Sequence, residues 1–204
     1  MTIRFHKGDL PNLENYKDSV AVDSETLGLN PLRDRLCVVQ LSPGDGTADV
    51  VQIAQGQTEA PNLKALLEDA NRTIIFHFAR FDVAVLRQAL GIECSNIYCT
   101  KIASRLTRTY TDRHGLKDLV KEFIGVDISK QQQSSDWAAE TLTQAQLEYA
   151  ASDVLHLHDL RAHLDMRLSR EDRSDLASAC FEFLPTRAKL DLAGWSQEDI
   201  FAHS

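Results

Sequence analysis

Five residues in three short stretches could do chemistry together. The run "SVAVDSETLGLNP" sets Asp23 and Glu25 one residue apart at the end of an apolar, β-branched segment. Along a strand, residues i and i+2 point to one face, so the two carboxylates stand side by side. Like charges in apolar surroundings repel, and an unpaired buried carboxylate is costly. The pair is therefore either a solvated strand end or one side of a cation site. In "IIFHFARFDVAVL", Asp82 follows a buried run at the opening of a helix. The helix dipole alone favours an acid there, and a cation would favour it too. In "LEYAASDVLHL", Tyr149 and Asp153 lie four apart on one helical face, with Ala150, Ala151 and Ser152 between them. That pair is either the polar side of an amphipathic helix or a source of a further carboxylate partner for Asp23 and Glu25.

The elements that must position these residues are legible around them. Three β-rich runs, "SVAVDS", "RLCVVQLS" and "ADVVQI", are separated by "NPLRD" and "PGDGT", the turn chemistry of an antiparallel meander. Pro61 opens a helix with Leu63, Leu66, Leu67 and Ala70 on one face. "RTIIFHF" reads as a buried strand, "FDVAVLRQALG" as a helix stopped by Gly91, and "NIYC" as a fifth strand. "GLKDLVKEFIG" has helical periodicity, whereas "VDISKQQQSSDW" is polar and irregular. Thr143 and Gln146 form a capping-box pattern that starts one long helix through "LEYAASDVLHLHDLRAHLDMRL". A shorter helix around "SDLASACFEFL" and a tail near "WSQEDIF" follow. The order predicts an α/β fold with a mixed five-stranded sheet flanked by helices. Residues 1–170 make the main domain, and residues 171–204 are too few for a second one and form a helical extension packed on it.

Composition narrows the function classes. The chain has 204 residues, 43% hydrophobic and 25% charged, with a net charge of −8. That balance argues against a nonspecific nucleic-acid coat protein. Yet Lys101, Arg105, Arg108, Arg113, Lys117 and Lys121 face only Asp112 and Asp118 within the same segment, a local basic patch or a solvated helix face. Cys37, Cys94, Cys99 and Cys180 make no C-x-x-C pair and no zinc-type set. The start "MTIRFHKGDL" does not match a signal peptide, and no apolar run approaches a membrane span. The expectation is a cytoplasmic protein with no membrane partner.

Taken in order, the three stretches resemble the DEDD 3′–5′ exonucleases, in the branch with a catalytic tyrosine (DEDDy), and ribonuclease D in particular. The resemblance rests on "DSETLGL", "HFARFD" and "YAASD", with "HGLKDLVKEFIGVDISKQQQSSDW" and "LTQAQLEYAASDVLHLHDL" as flanks, and covers about residues 18 to 165. It implies a ribonuclease H-like fold and a metal-dependent 3′–5′ exoribonuclease acting on single-stranded RNA 3′ ends, with single-stranded DNA as a further substrate. Asp23, Glu25, Asp82 and Asp153 would hold two divalent cations. An all-carboxylate set suits Mg²⁺ or Mn²⁺ better than zinc, and two-metal sites assist in-line phosphoryl displacement. Tyr149 would orient the attacking water and accept its proton. Thr26, Leu27, His114 and Lys130 fall where the family meets its substrate. Leu27 and the strand residue His77 also have plain readings as core side chains, and Trp137 as a structural one. One departure stands out: where the family has W-x-x-R-P-L, this chain has "WAAETL", with Glu140 and Thr141 in place of the basic residue and proline. Two other classes stay open: a nuclease fold that only binds, and a phosphodiesterase for small oligonucleotides or nucleotides.

Overall fold

A computed structural model describes residues 2–129 and 131–203. Six strands, β1 (Thr2–Lys7), β2 (Ser19–Thr26), β3 (Leu36–Ser42), β4 (Thr47–Gln52), β5 (Thr73–Phe76) and β6 (Ile97–Cys99), form one sheet in the order β1-β4-β3-β2-β5-β6. β2, β3 and β4 are the expected antiparallel meander, and β1, β5 and β6 join it in parallel. The sheet is thus mixed, but it has six strands rather than five. The added strand, β1, reads "TIRFHK"; its alternation rests on two apolar residues only, Ile3 and Phe5, and Phe5 stays exposed. Its place is set from a distance by buried Asp49 of β4, which accepts hydrogen bonds from Arg4 (2.8 and 2.7 Å), His6 (2.7 Å) and the Tyr16 hydroxyl (2.5 Å).

Among the described residues, seven helices cover the two faces: α1 (Pro61–Leu67), α2 (Ala79–Leu90), α3 (Thr100–Thr107), α4 (Leu116–Ile124), α5 (Gln144–Leu155), α6 (Leu157–Arg170) and α7 (Ser174–Leu190). Strand alternation decides which face each residue serves. Val20 and Val22 of β2 pack with Leu63, Leu66 and Leu67 of α1, Val83 and Leu86 of α2 and Leu184 of α7. Each fully buried leucine of this kind contributes about 1.5–3 kcal/mol. Ala21, between the two valines, turns to the other face and joins Leu119 and Val120 of α4, Ala151 and Val154 of α5 and Leu160 and Leu164 of α6.

The long helix expected from Thr143 onward is two helices. The capping box between Thr143 and Gln146 is present and starts α5, but the chain bends at His156 (φ −104°, ψ −1°) before α6 begins. The bend lets α5 run along β2, β3 and β4 while α6 packs on α3 and α4. α3 was not expected. It carries hydroxyls and cations, and its buried side is Thr100, Ala103, Ser104 and Thr107. After α7 the chain makes a wider turn, Asp191–Trp195, in which Gly194 has a φ of +109°.

Candidate active site

The acids meet where β2 ends. Asp23 and Glu25 follow Ala21 on the α5 face. Asp153 descends to them from α5, and a carboxylate oxygen from each of the three lies within 4.8 Å of the others. A stripe of alanines makes this possible. Ala21 of β2, Ala48 of β4 and Ala151 of α5 are fully buried in one cluster, so backbone meets backbone closely and the short Asp153 side chain reaches the strand. A register shift between Glu25 and Thr26 ends the regular pairing of β2 with β3 at this point, a device that commonly re-aims side chains beside a site.

Asp82 approaches from the opposite face. Ser24, alternating with Asp23 and Glu25, points toward α2, and its hydroxyl donates to Asp82 Oδ1 at 2.6 Å. Asp82 is buried and lies outside the three-acid set, but it stands close enough to Asp23 for the two charges to repel. Gln40 of β3, opposite Asp23 in the ladder, donates its amide to Asp23 Oδ2 at 2.7 Å. Ser24 and Gln40 were not singled out from the sequence. Gln40, a lone polar residue in the apolar run "LCVVQLS", was the available signal.

The electrostatics follow from this crowding. Burial pushes the Asp23 carboxyl up to about 7, and Gln40 only partly offsets it. Burial, then the charges of Asp23, Asp153 and Asp82, push Glu25 up further. Asp82 is raised by burial and then by Asp23. Burial and the neighbouring acids Asp153, Glu25 and Asp23 also hold the Tyr149 phenol well above its ordinary range, so it stays protonated beside the cluster. Its ring leans on Trp137, with centroids 5.9 Å apart. Anionic oxygens that repel one another at this spacing fit a hard divalent cation, which needs oxygen ligands and supplies the missing positive charge.

The expected substrate residues fare differently. Thr26 ends β2 and donates its hydroxyl to Gly28 O at 2.5 Å. Leu27 begins the following loop and is 53% exposed. That loop is tight: a Cβ on Gly28 would collide with the Asp34 carboxylate. His114 is half-buried before α4, its Nδ1 2.9 Å from the Ser104 hydroxyl. Lys130 lies outside the described residues. His77 is a hydrogen-bonded interior histidine, its Nδ1 3.0 Å from the Thr100 hydroxyl, and burial followed by the Lys101 charge pushes it down to about 3. Trp137 is buried.

A helix-flanked mixed sheet that gathers carboxylates at the end of its second strand, with a phenol beside them, is the arrangement of a metal-dependent nuclease. A family model described as 3′–5′ exonuclease matches residues 10–169, and the chain belongs to that family. Within it, the chain is of the ribonuclease D/NrnC type. Ribonuclease D of Gluconacetobacter diazotrophicus is 35% identical over 156 residues, covering 76% of this chain and 39% of that protein. The chain thus spans less than half the length of the curated ribonuclease D relatives it matches. Solved structures of Brucella melitensis NrnC cover all of both chains: one with bound Mg²⁺ at 66% identity and a TM-score of 0.97, and one bound to pGG at 67% and 0.98. Escherichia coli RNase D aligns at 26% identity with a TM-score of 0.74, over 84% of this chain and 45% of that one. No described helix is long and apolar enough to cross a membrane.

Proposed function

We propose that this chain is a cytoplasmic exoribonuclease that hydrolyses phosphodiester bonds from the 3′ end of single-stranded RNA, with the shortest oligonucleotides, dinucleotides included, as its main substrates. The observation that carries the reading is the convergence of Asp23, Glu25 and Asp153 within 4.8 Å, with Asp82 beside Asp23. Residues 1–170 form the catalytic unit, and residues 171–204 extend it. Asp23, Glu25 and Asp153 would hold one divalent cation, and Asp82 with Asp23 a second. Bound there, Mg²⁺ or Mn²⁺ would supply positive charge to the reacting phosphate and make its bound water more acidic.

The chain's own residues supply position. Tyr149, kept protonated by its surroundings, presents a hydroxyl that orients the attacking water against the phosphorus. Gln40 and Ser24 hold Asp23 and Asp82 in place. Exposed Leu27, with Thr26 before it, would meet the terminal bases and His114 would approach phosphate, a part the resemblance also gives to Lys130. The preference for short substrates rests on the likeness to NrnC, which extends over the whole chain and includes a structure bound to the dinucleotide pGG.

The test is a substrate panel with Mn²⁺ or Mg²⁺: a 5′-labelled oligoribonucleotide, a DNA of the same sequence, and pGG. Fast cleavage of pGG with slower 3′-end shortening of the longer RNA is the expected result. Absence of cleavage of every substrate would leave the chain a binding module and end this reading.

A further inference from the structure

Helix α2 carries Asp82 in its first turn, and that turn starts weakly. Its N-cap residue is Phe78, whose ring has no oxygen with which to cap the first amides. Arg80, two residues before Asp82, adds a cation at the helix N-terminus, where the dipole disfavours it. A helix start of this kind needs an anchor from elsewhere in the fold.

The anchor lies 111 positions along the chain. Arg80 Nε and Nη2 donate to Asp191 Oδ2 and Oδ1 at 2.6 and 2.7 Å, the two-bond fork that fixes direction as well as distance. Asp191 is 9% exposed. The chain then makes the turn Asp191–Trp195, in which Gly194 takes the left-handed φ of +109° that side chains rarely adopt. That turn returns the Ser196 carbonyl to Arg80 Nη2 at 2.7 Å. Arg187 of α7 reaches the same carboxylate, at 3.0 and 2.5 Å, and the Trp195 carbonyl. Burial pushes the Asp191 carboxyl up, but hydrogen bonds from Arg80 and Arg187 outweigh it and leave the group below its ordinary range. Residues two apart on a helix point to roughly opposite sides. The first turn of α2 is thus gripped twice: Asp82 by the Ser24 hydroxyl of β2, and Arg80 by the segment that follows α7.

We infer that Asp191 is a positioning residue for the reaction: through Arg80 it fixes the first turn of α2 and so sets where Asp82 stands relative to Asp23. The inference rests on the proposed function, in which Asp82 and Asp23 together hold one of the two cations. It gives residues 171–204 a part in the active site that their distance along the chain conceals.

The experiment compares wild type with Arg80→Gln, Asp191→Asn, the double variant, Arg80→Lys and Arg187→Gln, each checked for fold by circular dichroism. The metal-free proteins are titrated with Mg²⁺ by calorimetry, and kcat and KM are measured on pGG. Arg80→Gln and Asp191→Asn should each weaken Mg²⁺ binding and lower kcat by about 10–100-fold with KM nearly unchanged, the usual cost of losing a group that orients a metal ligand. The double variant should be no worse than the poorer single one, because the two residues act as a unit. Arg187→Gln, whose partners lie only in the turn and α7, should lower Tm but keep kcat and Mg²⁺ binding within twofold. Arg80→Lys keeps the charge and gives up the fork, so it should fold well and recover only part of kcat. Loss of Tm in Arg80→Gln, Asp191→Asn and Arg187→Gln alike, with kcat and Mg²⁺ binding of the folded proteins unchanged, would reduce the contact to plain stability and overturn the inference. Wild-type kcat and Mg²⁺ affinity in Arg80→Lys would overturn it as well. Should wild type cleave none of the substrates, the exoribonuclease reading fails, and the positioning stands or falls on the Mg²⁺ titrations alone.

Discussion

Replacing Asp23 with Asn should stabilise the metal-free protein, and increasingly so as the pH rises. The Asp23 carboxyl stands at about 7 against an ordinary 3.8. A carboxyl raised on folding costs nothing below its unfolded pKa, where both states are protonated. The cost builds as the pH climbs from about 4 to about 7 and is complete above that. At 1.36 kcal/mol per pH unit it reaches ~4 kcal/mol at pH 8 and only ~2 kcal/mol at pH 5. Interior His77, held down to about 3, works in the opposite direction, weakening the fold below its unfolded pKa. The informative quantity is therefore the difference between wild type and Asp23→Asn, which share that histidine. In EDTA the variant's advantage should widen by about 2–3 kcal/mol between pH 5 and pH 8, and relief of Glu25 acts in the same direction. For a chain of this length each kcal/mol is worth about 2–4 °C in Tm. Mg²⁺ should reverse the order at pH 8, because it binds the native wild-type cluster and stabilises by mass action. A difference in Tm that stays flat from pH 5 to pH 8, or a wild type whose Tm ignores millimolar Mg²⁺, would refute a repelling carboxylate cluster.

Asp82→Asn or Asp153→Asn should abolish hydrolysis with the circular dichroism spectrum unchanged, and near-wild-type turnover by either would remove that acid from the chemistry. Tyr149→Phe should lower kcat by about 10²–10⁴-fold with KM nearly constant; steady-state rates on a short oligonucleotide within twofold of wild type would mean the hydroxyl is idle. Asp49→Ala leaves Arg4, His6 and Tyr16 without their shared acceptor and should cost about 3–5 kcal/mol in urea denaturation, whereas a loss below ~1 kcal/mol would mark the network as solvent-screened. Ala151→Leu should overpack the helix–sheet contact by about 1–3 kcal/mol and depress kcat well beyond any loss of folded protein, so unimpaired kcat would show that Asp153 does not depend on that contact.

What could be read from the sequence was local. The meander strands announce themselves by β-branched runs and by the turn segments "NPLRD" and "PGDGT", and Thr143 with Gln146 marks a helix start that the structure reproduces. Periodicity put Asp23 beside Glu25 and Tyr149 beside Asp153 but left each with a plain reading; the resemblance to the DEDD exonucleases is what joined them with Asp82. What was missed depends on distant partners. β1 is held by Asp49, more than forty residues away. The bend at His156 carries neither Gly nor Pro and is set by what α5 and α6 each pack on. The division of the acids between two faces of the sheet, with Ser24 turned to Asp82, needs the three-dimensional register of β2 against both its neighbours.

The alanine stripe has a consequence for variation. Ala21, Ala48 and Ala151 carry no chemistry, yet they set how near the Asp153 helix comes to β2. A library of single substitutions scored for hydrolysis should mark these three positions as intolerant, alongside the carboxylates. Scored only for abundance, the two groups should part: acid-to-amide changes pass unnoticed while enlarged alanines are depleted. Residues that look interchangeable in composition would then act as a spacing gauge for the carboxylate cluster.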